Sequence, residues 1–305
     1  MIKYLLTLVV CMLAIASYGS SLVLGEKRID LNLKGFELNE SKVTKNRKTY
    51  YIYAVLPGSD IKFSISAEYN RQFTDSATLR EKWWSIANKK SPLNKTNIKY
   101  YTQGKFAVVE WDFDSPSGSY KHINAYRAED GVCMDVHMSC ANSAMAGGQL
   151  TSMLDMVKVS DSTPDEMLLC GIALHRAKSY PEAIESLKAW QKNSQNADVK
   201  TSKYRMGIVA LGIAYSFCGR LNEAREIFES ALLKDPEYPL FHYNLACVFA
   251  LQNKPSVMLE QLKLAKQFRS NLEPDVPLSN PANNSSFKRF LENPEFKEVC
   301  KDWPQ

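Results

Sequence analysis

The sequence predicts an α+β N-terminal domain, an antiparallel sheet with two helices, followed by an all-α stack of helical hairpins. Three observations predict it. Between 27 and 160, short apolar runs alternate with polar residues and are broken by Pro57-Gly58, Ser117-Gly118 and Asp130-Gly131. Alternation marks half-buried strands, and such dipeptides mark tight turns. From 164 onward the apolar spacing changes to the helical period, and similar units recur within 164–272.

At 305 residues the chain has room for two domains. Its net charge of +5 is spread thinly, and the densest basic run (Lys82, Lys89, Lys90, Lys95 and Lys99) lies among Ser, Asn and Thr. That run reads as a solvated loop after a helix, and no nucleic-acid partner is expected.

The opening "MIKYLLTLVVCMLAIASYGSS" has Lys3, an apolar run from Tyr4 to Ala16, and then small residues. This is the pattern of a signal peptide over 1–20, cut after Ala16, Gly19 or Ser20. Ser17, Gly19, Ser20 and Ser21 break the run before the ~20 apolar residues that a span needs, so no stable transmembrane anchor is expected. The chain is expected to be exported, to the periplasm or cell envelope of a bacterium, or secreted otherwise. In an oxidising compartment cysteines pair. Cys170, Cys218 and Cys247 fall in helical patterns as small apolar residues, which leaves Cys133 and Cys140 as the local disulfide candidate, provided the chain turns between them.

Within the α+β domain (27–160), "YYIYAVLP" (50–57) and "DIKFSISAEY" (60–69) form a hairpin, with Ile61, Phe63 and Ile65 on one face. "DSATLREKWWSIANKK" (75–90) begins with an Asp or Ser cap and carries Leu79, Trp83 and Ile86 at helical spacing. Strands follow at 96–102, 105–114, 119–128 and 131–138, an antiparallel meander, and a second helix covers about 144–156. The expected layout is one sheet with helices on one side. It resembles the layout of PsbP-like domains.

In the second half, counting Arg205 as position 1, Leu211-Gly212 fall at 7 and 8, Tyr215 at 11 and Gly219 at 15. Ala224 falls at 20, Phe228 at 24, Ala231 at 27 and Pro236 at 32. From Pro239, Leu245-Ala246, Phe249, Leu262 and Ala265 repeat the pattern, with Met258 at 20. From Pro164, Cys170-Gly171, Leu174, Ala183 and Leu187 do so, and about seven extra residues follow in 193–202. The pattern is similar to the tetratricopeptide repeat (TPR), a 34-residue helix-turn-helix unit. The resemblance implies three repeats, 164–197, 205–238 and 239–272, in which helices A and B cross at Gly212 and Ala224. After a turn-rich tract, the segment 285–301 is expected to cap the stack, with Phe287, Phe290 and Leu291 on one face of a short helix.

No HExxH, GxSxG or phosphate-loop motif is present, so no catalytic residue and no cofactor are expected. In "CMDVHMSC", Cys133, Asp135 and His137 share one strand face and Met134, Val136 and Met138 the other. Asp135 and His137 are weak metal candidates. The simpler reading is a core-facing methionine row with polar residues behind it, because ligands strung along one strand converge poorly. Glu110, Asp112 and Asp114 alternate in the same way and read as a solvated face. The TPR resemblance implies instead a groove lined by helix A. Its residues here are Met206, Val209, Ile213 and Phe217 of repeat two, Tyr243, Cys247 and Leu251 of repeat three, and His175 and Arg176 of repeat one. The implied occupant is a protein or peptide partner, a second copy of the chain, or the chain's own tail or N-terminal domain. The functional expectation is an exported scaffold or holding protein. The alternative is a small-ligand- or metal-binding, weakly catalytic α+β domain that the repeats localise.

Overall fold

The computed structural model describes residues 20–24, 26–43, 49–141, 147–194 and 197–303. The leader reading over 1–20 lies outside the described residues except at Ser20. The chain divides into two compact units, with the boundary between Met167 and Leu168.

The first unit holds two sheets where the sequence pattern gave one. The larger has seven strands in the order β3-β4-β5-β9-β8-β7-β6. They are β3 (Glu37–Val43), β4 (Thr49–Val55), β5 (Lys62–Tyr69), β6 (Lys95–Gln103), β7 (Phe106–Ser115), β8 (Gly118–Glu129) and β9 (Val132–Ala141). All pairings within it are antiparallel. The smaller sheet joins β1 (Ser20–Leu24), β2 (Lys27–Leu31) and β10 (Val157–Asp161), so the folded unit begins ahead of residue 27. β1 and β2 form a local hairpin, whereas β10 reaches β2 from across most of the unit, a pairing that local periodicity cannot register. Met134, Val136 and Met138 are fully buried, as are Phe63, Ile123 and Ala125 on the same face, so the core-facing row is as expected.

The opposite face is partly covered by α1 (Ser76–Lys90), which Asp75 caps by accepting from Thr78 N at 2.8 Å. Its buried side is Leu79 and Trp84, with Trp83 partly covered, while Ile86 is 42% exposed. The helix therefore sits about one residue rotated from the expected stripe. The second helix is short, α2 (Gly147–Ser152), and tightens into a 3-10 turn at Met153–Met156.

The second part is a run of antiparallel hairpins: α3 (Pro164–Arg176) with α4 (Tyr180–Asn193), α5 (Ser202–Phe217) with α6 (Leu221–Leu232), and α7 (Pro239–Leu251) with α8 (Pro255–Gln267). Helix α3 opens with a reciprocal cap, in which Thr163 N donates to Glu166 Oε2 at 2.8 Å and Glu166 N donates to Thr163 Oγ1 at 3.3 Å. The hairpins repeat in backbone detail. Lys178, Gly219 and Asn253 all stand at position 15 and all have positive φ (62°, 73° and 59°). In each turn the next N–H returns to the carbonyl at position 11: Ser179 to Leu174, Arg220 to Tyr215, Lys254 to Phe249. One αL residue satisfying the last carbonyls ends helix A the same way three times.

The crossings repeat as well. A Cβ on Gly212 would lie 2.2 Å from the Phe228 ring, and one on Gly171 would lie 2.5 Å from Leu187. Positions 8 and 24 thus meet as a small-against-large pair, and in repeat three Ala246 and Leu262 are both fully buried. Gly207 makes a further close approach, 2.3 Å from the Trp190 ring. Among the described residues no helix is long and apolar enough to cross a membrane.

Candidate functional site

In the sheet unit, the register brings polar residues of three strands together. Asp135 pairs with Ser66 and Tyr126, and His137 with Ser64 and Asn124. Trp111 Nε1 donates to Asn124 Oδ1 at 3.1 Å, and Asn124 Nδ2 donates to Asp135 Oδ1 at 3.2 Å. The Trp111 and His122 rings stack at 4.0 Å, and His122 stacks on His137 at 5.3 Å, with Nδ1 and Nε2 sharing a hydrogen bond of 3.0 Å. Burial raises the Asp135 carboxyl to about 6 and lowers His137 to about 4. Burial, reinforced by the His137 charge, lowers His122 to about 3. Near neutral pH both imidazoles are therefore uncharged.

Two atoms of this set, His122 Nε2 and Tyr126 Oη, are buried without a hydrogen-bond partner among the described residues. Asp135 and His137 do not converge on a common point with a third ligand, and among the described residues no group of three or more His, Cys, Asp or Glu side chains is placed to hold a metal ion. The Cys133–Cys140 disulfide is corrected. Both thiols are free and buried, and both lie on the unbroken β9, where seven steps span ~23 Å against the ~7 Å between Cα atoms that a bridge tolerates. The solvated reading of the acidic strand is also corrected at Glu110, which is buried, accepts from Lys121 at 3.3 Å and lies 3.5 Å from Lys99. Lys95, read as part of a solvated run, lays its ammonium 5.2 Å over Trp111 and 5.7 Å over Trp84.

In the helical unit the groove residues separate into two groups. Met206 and Phe217, at positions 2 and 13 of repeat two, are 44% and 67% exposed, and Val209 and Ile213 between them are half-buried. Phe217 stacks face to face on Tyr180 at 4.5 Å, and His175 meets Tyr180 edge-on at 5.6 Å. Arg176 is exposed beside it, and Leu251 is 41% exposed at the corresponding position of repeat three.

Tyr243 and Cys247, at positions 5 and 9 of repeat three, are covered by the C-terminal segment and do not line an open groove. Asn284 Nδ2 donates to Tyr243 Oη at 3.2 Å and reaches Cys247 Sγ at 3.6 Å. The rings of Phe287 and Trp303 pack on Tyr243 at 6.0 and 6.2 Å. Burial pushes the Cys247 thiol up to about 12 and raises the Tyr243 phenol as well. The segment is a 3-10 turn (Ser285–Phe290) followed by α9 (Pro294–Cys300), because Asn293 and Pro294 end one element and start the next. Phe287, Phe290, Phe296 and Val299 are buried in it.

The preceding turn-rich tract is tied down too. Trp303 Nε1 donates to Leu278 O at 3.0 Å, and Arg205 bridges Asp235 and Glu273 at 2.9 Å each while lying 4.1 Å over the Tyr238 ring. His242 is a core histidine whose two ring nitrogens lie 2.7 Å from Gln261 Oε1 and from Pro236 O. Sequence reasoning had Phe287 as a cap residue but missed Asn284, whose role shows only once the tail is placed over helix α7.

No protein-family model matches the chain, and no curated protein does. Among solved structures, the chain is similar to the type III secretion translocator chaperone SycD of Yersinia enterocolitica, with 16% identity over 46% of this chain and 91% of that one and a TM-score of 0.32. It is similar to YrrB, described as a TPR protein with an unusual peptide-binding site, with 19% identity over 40% and 58% and a TM-score of 0.33. A protein of Bacteroides thetaiotaomicron matches over 63% of this chain and 76% of its own, with 10% identity and a TM-score of 0.30. At these identities and scores the reading of the hairpins as a repeat stack rests on the chain's own periodic turns and crossings.

Proposed function

We propose that the chain is an exported, non-enzymatic interaction protein of the TPR type, a scaffold or holding factor that docks a partner protein on the open part of its helix-A face. The observation that carries this reading is Phe217. It is a large aromatic side chain 67% exposed, continuous with Met206, Val209 and Ile213, on a helix whose other face is fully packed. A contiguous apolar strip of that kind loses free energy in water until something covers it. The covered end of the same face, at Tyr243 and Cys247, supports the reading by showing a peptide segment seated on equivalent positions.

Capture from an envelope extract by the full mature chain tests it, beside a Met206→Glu, Phe217→Glu double variant whose fold is verified by circular dichroism. A protein retained by the first and lost by the second is the expected result. Equal capture by both chains would remove the groove as the docking surface.

A further inference from the structure

We infer that the polar sheet face around Asp135 is a second site, independent of the helical face, that takes a small organic cation: a primary ammonium on an apolar body. The strand register assembles it. Tyr51, Ser66 and Asp135 form one row across β4, β5 and β9, and Tyr53, Ser64 and His137 form the next. Neighbouring strands lie about 4.8 Å apart and successive rows on one face about 7 Å apart, so the two serines, the carboxyl and the imidazole mark the corners of a patch that one small molecule covers. All six residues are half-buried, which makes the face recessed without closing it.

Hydrogen bonding is left incomplete at this patch. Asn124 Nδ2 holds Asp135 Oδ1, but among the described residues no donor reaches Asp135 Oδ2, and the Ser64 and Ser66 hydroxyls make no hydrogen bond. Tyr126, next to Asp135 in the same row, is fully buried with its Oη unpartnered, and so is Nε2 of His122, whose other ring nitrogen bonds His137. Buried polar groups without partners cost stability, and a fold that retains several in one place holds bonding capacity for something else.

Charge decides what that is. Asp135 has no ion-pair partner among the described residues, and the charges of Lys62 and Lys95 act on His122 and not on Asp135. A desolvated carboxylate without a counter-ion is unfavourable on its own. An ammonium group supplies the missing donor to Oδ2 and the missing charge together. The uncharged His137 imidazole does not repel it. The Tyr51 and Tyr53 rings border the two rows on the β4 side, where aromatic faces attract an ammonium and cover an apolar body. An anion would meet the Asp135 carboxylate unscreened.

Titration calorimetry on the full chain, buffered well above the Asp135 value of about 6, tests this with three probes of one shape: phenethylammonium, phenethyl alcohol and hydrocinnamate. The ammonium is expected to bind about tenfold tighter than the alcohol, and the carboxylate not at all. Asp135→Asn keeps the side-chain shape and an acceptor for Asn124, and it is expected to level the ammonium and the alcohol. Tyr53→Ala is expected to weaken both. The Met206→Glu, Phe217→Glu double variant is expected to bind the ammonium as the natural chain does, so this site and the helical docking face are tested separately. Equal binding of ammonium and alcohol by the natural chain, or ammonium binding untouched by Asp135→Asn, would overturn the charge assignment. Binding of none of the three probes would overturn the site and leave the polar face as internal structure alone.

Discussion

The two units break the simple inside-outside pattern in opposite directions. The sheet unit buries polar side chains: Glu110, Asn124 and Arg127 lie among its core residues, and His122 and His137 stack behind Trp111. The helical unit exposes apolar ones, Phe217 and Met206 above all. In the sheet unit most of the buried polar groups have partners within the same unit, as Asn124 does in bridging Trp111 and Asp135. In the helical unit the same helix face has an internal partner over repeat three and leaves Phe217 largely in water at repeat two. Polar burial that is satisfied internally is structure, whereas apolar exposure on a rigid scaffold is capacity for binding.

The largest expected effect breaks the covered end. Phe287 is fully buried against Tyr243 and Phe296, so Phe287→Ala is expected to cost about 3–5 kcal/mol in denaturant unfolding. Amides of α7 should exchange faster in the variant. A loss below about 1 kcal/mol would mean that the tail is not part of the cooperative unit. Next comes the crossing of repeat two. Gly212→Ala is expected to cost about 1–3 kcal/mol because its Cβ meets the Phe228 ring. Repeat three already carries Ala246 opposite Leu262. Adding Phe228→Leu should therefore return part of that loss, and a double-mutant cycle without coupling would show that the two crossings are not equivalent.

The sheet unit is probed through its charge. The folded carboxyl of Asp135 stands at about 6, above the ordinary carboxyl value of 3.8. Between about pH 4 and 6 the folded state therefore keeps a proton that the unfolded chain has lost, and the carboxyl takes away stability as pH rises through that window. Asp135→Asn is expected to be more stable than the natural chain at pH 7, by about 1–3 kcal/mol, with the difference vanishing near pH 4. His122 and His137 act oppositely. Their folded values of about 3 and about 4 lie below the ordinary 6.5, so the stability they contribute is present above 6.5 and is lost as pH falls toward 3. Urea midpoints at pH 4, 5.5 and 7 separate the two trends. An Asp135→Asn curve parallel to the natural one would mean that the carboxyl is hydrated and not desolvated.

The helical unit was legible because its information is local and repeated. Gly212 with Phe228 and Gly219 in the turn each have counterparts about one repeat away. The sheet unit was legible only where strands are joined by tight turns, from Thr49 to Tyr69 and from Lys95 to Ala141. The β2-β10 pairing escaped because Val157 pairs with Leu31 across most of the unit. Within the site, Met206 and Phe217 stand exposed. Tyr243 and Cys247 are covered by the tail, one of the occupants the groove reading left open, and nothing in α7 records which later residues fold back over it. Helix position could be read from the sequence, but cover could not.

That difference leads to the smallest effect on stability and the most discriminating one. Phe217 and Tyr243 are aromatic residues on corresponding A-helices, and composition alone would treat them alike. Phe217→Glu places a carboxylate at a position 67% exposed, so unfolding should change by no more than about 0.5 kcal/mol. Tyr243→Lys removes a ring 6% exposed, strands Asn284 Nδ2 and puts an ammonium under Phe287 and Trp303, so several kcal/mol should be lost. If both variants melt alike near the natural chain, the tail does not hold repeat three closed in solution and the groove runs its full length. If Phe217→Glu is also strongly destabilising, the open end is already occupied by the protein itself, and no external partner is needed to cover it.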